Sequence, residues 1–108
     1  MRLKDLKKFI SEEDRRLRKY YGGYKDEEKR RLARTVKLAE ELGELCDEVL
    51  SYNSMQRKSK LEGRDANNLS EEFADVVITT LLLAEAMKVD IEKALKGKIK
   101  KINKRYEK

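Results

Sequence analysis

Leu38, Leu42, Leu45 and Val49 recur at i, i+4, i+7 and i+11, and this apolar stripe constrains the fold more than any other feature of the chain. The spacing follows the turn of an α-helix and not the two-residue alternation of a half-buried strand. Similar stripes run through Leu3, Leu6, Ile10 and Leu17 and through Ile91, Ala94, Leu95, Ile99 and Ile102. No proline interrupts the 108 residues, and Lys, Glu, Leu, Arg and Ala dominate, all favourable in helices. Charged residues make up 44% of the chain, enough to raise the question of disorder. The clustering of apolar residues at helical spacing predicts order in all but the ends.

Four helices are expected, over residues 3–20, 26–52, 71–87 and 91–106. Gly22 and Gly23 suit a left-handed cap after the first, and Ser11 offers an alternative cap within it. Residues 53–69 lack periodicity and hold the turn formers Gly63, Asp65, Asn67 and Asn68, so a long connection is expected there. Ser70 and Asp90 are the expected N-caps of the third and fourth helices. The run ADVVITTLLLA is rich in β-branched residues, which makes a buried strand the competing reading. Its apolar character extends through Met87, too far for a typical strand, and helix is preferred. A helix apolar on nearly every side is one packed on every side, which points to an interface between subunits. The expectation is therefore an all-α, four-helix, bundle-like single domain over 1–108. Its core covers about 26–106, preceded by the helix at 3–20, and it assembles as a dimer or tetramer.

Histidine is absent, which excludes an imidazole base, Ser-His and Cys-His nucleophiles and histidine-ligated zinc. Chemistry must run on carboxylates, amines, hydroxyls and a hard metal. Cys46 is the sole cysteine, so no disulfide framework is expected, and its side chain is expected to pack on the apolar side of its helix. The start MRLKDLKKFI has no apolar signal core, and the apolar run 76–84 is too short for a bilayer. A cytoplasmic protein without membrane contact is expected. The net charge of +6 suits a phosphate-rich partner, nucleotide or nucleic acid, and equally suits plain solubility.

Acidic pairs at i, i+3 number four: Glu41/Glu44, Glu44/Asp47, Glu62/Asp65 and Glu72/Asp75. Among 21 acids in 108 residues, chance gives about four such pairs, so spacing alone decides nothing. Context separates two of them. Glu41, Glu44 and Glu48 share an arc that borders the Leu38–Val49 stripe. Glu72 and Asp75 share a face at the head of the most apolar segment, directly before Val76, Val77 and Ile78. Five carboxylates at the edge of a core repel one another and stay ionised most easily around a cation. Oxygen-only ligands select a hard ion, Mg²⁺ with Mn²⁺ as the alternative. The plain alternative is a set of solvated acids paired with lysines. On the fourth helix Lys98, Lys101 and Arg105 lie at i, i+3 and i+7 and could hold a triphosphate, or form a solvated basic tail. Arg57, Lys58, Lys60 and Arg64 in the long connection are candidates for a lid over phosphates, or for solvated charges. Tyr20, Tyr21 and Tyr24 fit a half-buried helix cap better than a base-stacking platform.

The segments EELGEL (40–45) and EEFADVV (71–77) resemble the paired motifs of the all-α nucleoside triphosphate pyrophosphohydrolases. These are the MazG-like proteins, with relatives among dimeric dUTPases and phosphoribosyl-ATP pyrophosphohydrolases. The family pattern is E-x-x-E, a variable gap, then E-x-x-D. Glu41 and Glu44 match the first half, Glu72 and Asp75 the second. The likeness covers roughly residues 32–105; the gap is long for the pattern, and Ala74 stands where many members carry glycine. It implies that Glu41, Glu44, Glu72 and Asp75 ligate Mg²⁺, that one of Glu40, Glu48 or Glu71 orients a water, and that attack at the α-phosphorus expels pyrophosphate. The family's C-terminal lysine–asparagine–arginine signature is loosely matched by Lys98, Lys101, Asn103 and Arg105. The resemblance also implies a homodimer or homotetramer with the third helix between subunits. Competing readings are a basic helical module binding nucleic acid, disfavoured by the lack of any reading-helix motif, and an inactive scaffold of the same fold.

Overall fold

The computed structural model describes residues 1–20, 26–52 and 66–107 and has the four expected helices. In order, the helices are α1 (Leu3–Tyr20), α2 (Glu27–Tyr52), α3 (Ala66–Ala86) and α4 (Ile91–Lys104). No strand occurs among the described residues. Asp26 caps α2, its Oδ1 accepting from the backbone N–H of Glu28 at 2.9 Å and of Lys29 at 3.4 Å. Asp90 caps α4 as expected, accepting from Lys93 N–H at 3.1 Å. Ser11 starts no separate helix, since α1 runs through it unbroken.

The β-branched run inside α3 is helical, and its hydroxyls find partners within the helix. Thr79 Oγ1 donates to the Asp75 carbonyl at 2.8 Å and Thr80 Oγ1 to the Val76 carbonyl at 2.7 Å. α3 also ends in an ordered way. Val89 N–H returns to Ala84 O at 3.0 Å and Lys88 N–H to Glu85 O at 3.1 Å, with Lys88 itself left-handed at φ 57°. These two bonds make a Schellman ending with lysine at the position glycine usually fills. Arg31 of α2 donates to the Ala86 carbonyl at 3.1 Å, tying the two helices at this end.

α2 and α3 pack along each other, and α1 lies against α3. Buried apolar side chains among the described residues are Ile10, Leu82 and Ala86. Burying Ile10 and Leu82 stabilises by about 1.5–3 kcal/mol each. The buried residues of α2 are instead polar: Arg30, Arg34, Glu41, Glu48 and Ser51.

Several expectations are corrected here. Within the single chain the Leu38–Val49 stripe is not the core: Leu42 is 48% exposed and Val49 37%. α3 packs on the neighbouring polar arc of α2, leaving the leucine side partly open. Cys46 is exposed, not packed, for the same reason. α3 begins at Ala66, so Ser70 lies inside the helix and is not its cap. α4 stops at Lys104, where Arg105, Tyr106 and Glu107 bond to carbonyls three residues back and tighten the last turn. The Tyr21–Tyr24 region and most of the long connection lie outside the described residues. No helix among the described residues is long and apolar enough to cross a membrane.

Candidate functional site

The two acidic motifs meet because α2 and α3 pack through the arcs that carry them. One carboxylate oxygen from each of Glu41, Glu72 and Asp75 lies within 4.8 Å of the other two. Glu41 is buried at 7% exposure, Glu72 is partly buried and Asp75 opens to solvent. Glu41 Oε1 accepts from Lys37 Nζ at 3.1 Å. Glu41 Oε2 and Glu72 Oε2 are buried without a hydrogen-bond partner. Buried carboxylate oxygens left in this way carry a desolvation cost that a bound cation would offset. Burial first, and then the charges of Glu44, Asp75, Glu41 and Glu48, push the Glu72 carboxyl above its ordinary value. All five acids of the two motif arcs therefore act at one point. The hydrogen bond and charge of Glu41 raise the Lys37 ammonium, so lysine stands as the local counter-charge.

The donor set fits a hard divalent ion, being oxygen throughout with neither imidazole nor thiolate.

Glu41 and Asp75 form part of the wall of a cleft of about 460 Å³. Arg34 and Lys37 of α2 line it beside them, with Glu13 and Leu17 of α1 and Ile78, Thr79 and Leu82 of α3. Its surface thus combines acids that can hold a cation, bases that can meet an anion, and an apolar wall.

The other expected site residues are distributed unevenly. Glu44 is exposed, one step round the helix from Glu41, and reaches the cluster through its charge. Glu48 is buried and likewise raises Glu72. Glu40 is exposed and stands 3.8 Å from Lys37 Nζ; Glu71 is exposed at the start of the EEFADVV motif. Lys98 and Lys101 line a different groove from Glu41 and Asp75, with Asp90, Lys93, Ala94 and Gly97. Asn103 and Arg105 follow them at the exposed end of α4. Arg57 and Lys58, with Lys60 and Arg64, lie outside the described residues.

Sequence reasoning missed the residues that join α1 to this site. Asp14 is 2% exposed and accepts from Arg34 Nη2 at 2.8 Å and Arg30 Nη1 at 3.1 Å, while Arg18 Nε stands 3.0 Å from its Oδ2. The signal was present: an acid at position 14 falls on the same face of α1 as Leu3, Ile10 and Leu17. Arg30 and Arg34 likewise fall on the arc of Glu41 and Glu48.

Comparison with known proteins bears on the family of the chain. The family model described as the MazG nucleotide pyrophosphohydrolase domain matches residues 30–108. A similar curated protein is the uncharacterized protein YpjD of Bacillus subtilis, 32% identical over 102 residues, covering 94% of this chain and 86% of that protein. No solved structure gives a significant match.

Proposed function

Because this chain belongs to the MazG nucleotide pyrophosphohydrolase family, we propose that it hydrolyses nucleoside triphosphates to monophosphate and pyrophosphate with Mg²⁺, or Mn²⁺ in its place, at the Glu41–Glu72–Asp75 cluster. The observation that carries this reading is the convergence of three carboxylate oxygens, from Glu41 and Asp75 on the wall of a cleft and from Glu72 beside them, with Glu41 and Glu72 each offering a buried oxygen without a partner. Glu41, Glu72 and Asp75 hold the ion, and Glu44 adds its charge from the exposed side. When bound, Mg²⁺ supplies charge neutralisation for the phosphate chain and lowers the pKa of water at the site. One of Glu40, Glu48 or Glu71 orients the attacking water, and of the three Glu48 is the buried one. The acting unit is a homodimer or homotetramer with the apolar side of α3 between subunits. Lys98, Lys101, Asn103 and Arg105 then serve a site formed with a neighbouring subunit.

Each canonical ribo- and deoxyribonucleoside triphosphate, with and without Mg²⁺, is assayed for pyrophosphate release by wild type and Glu72→Gln. Release that requires Mg²⁺ and falls at least about a hundredfold in the variant is expected. Activity indifferent to Mg²⁺ or to the substitution would overturn the assignment.

A further inference from the structure

Asp14 meets three guanidinium groups, so the buried junction of α1 and α2 carries more positive than negative charge. Arg34 is the member of this junction that also lines the cleft holding Glu41 and Asp75. It is 8% exposed, one of its amino groups is committed to Asp14, and Nη1 is buried without a hydrogen-bond partner. A guanidinium is always charged, so that nitrogen cannot be neutralised by losing a proton. An unpartnered buried donor of this kind is costly unless an anion completes it. We propose that Arg34, oriented by Asp14, binds the phosphate chain of the substrate in this cleft, which makes α1 part of the active site. The proposal rests on the reading of the cluster as a nucleotide site. It adds a cationic contact in the cleft that Glu41 and Asp75 line, and an orienting residue, Asp14, that lies outside the span matched by the family model. Arg34 touches substrate; Asp14 acts through it as a positioning residue. The geometry favours a guanidinium over an amine, because one nitrogen can hold Asp14 while another meets phosphate oxygen.

The test compares wild type with Arg34→Lys, which keeps the charge beside Asp14 and so keeps the fold, and with Arg34→Met. Two quantities are read: kcat and KM for pyrophosphate release from the best triphosphate, and calorimetric binding of inorganic tripolyphosphate in Mg²⁺. Expected is a KM about tenfold higher or more in Arg34→Met with the smaller change in kcat, a matching loss of tripolyphosphate affinity, and intermediate values for Arg34→Lys. Unchanged KM and unchanged tripolyphosphate binding in Arg34→Lys would overturn the proposal even if Arg34→Met fails to fold. A wild type that releases no pyrophosphate sinks the hydrolase reading instead, and tripolyphosphate binding still decides the role of Arg34.

Discussion

Lys88 occupies a left-handed conformation, φ 57°, in the Schellman ending of α3. A side chain there costs about 1 kcal/mol relative to glycine. Its ammonium stands 3.8 Å from Glu27 Oε2, but an exposed pair of this kind contributes little. Lys88→Gly should therefore stabilise the protein by about 0.5–1 kcal/mol, read as a higher denaturation midpoint at unchanged slope. Glu72 makes a prediction of opposite character, since its folded-state carboxyl lies above its ordinary value of 4.5 through burial and the surrounding acids. The stability it contributes is fully present below pH 4.5 and is lost as pH rises through its own raised value. Metal-free protein should accordingly lose stability with rising pH across that window, and Mg²⁺ should restore more at neutral than at acid pH. Melting curves of wild type and Glu72→Gln, with and without Mg²⁺, check this. An identical pH slope in the two proteins would exclude Glu72 as its source.

At the scale of helices, most of the architecture was legible from periodicity and caps. All four helices occur in the expected order, and Asp90 caps α4 as its residue type suggests. The E-x-x-E and E-x-x-D arcs do meet, in that Glu41, Glu72 and Asp75 converge. What a helical wheel does not reveal is which of two adjoining arcs faces the neighbour. On α2 the apolar arc of Leu38 and Leu42 adjoins the arc of Arg34 and Glu41, and α3 covers the charged one. Charge normally signals exposure, so the buried Asp14–Arg30–Arg34 junction could be placed on a face but not paired without knowing how α1 and α2 cross. Glu41 and Glu44 match the motif equally, yet the 60° between them on the helix sets one carboxylate inside and the other at the rim.

The whole chain exposes more surface than a self-contained protein of its size. Its accessible area is 8709 Å², against about 6,200 Å² for a compact monomer of this mass. Its radius of gyration is 17.1 Å, where about 13 Å is typical. Phe73 and Val77 on α3 and Leu95 and Ile99 on α4 are each about half exposed. Association between copies is the expected resolution, and Val77→Glu should shift the protein toward monomer in sedimentation velocity runs. A wild type that sediments as a monomer at micromolar concentration would refute this. The charged lining between α2 and α3 has a consequence for the life of the protein in a cell. Where most helical pairs are glued by hydrocarbon, α2 buries acids, guanidinium groups and a serine. A ligand that binds there only in the folded chain would hold it folded by mass action. Degradation follows the unfolded fraction, so the abundance of the protein would track the supply of the ligands that hold it folded.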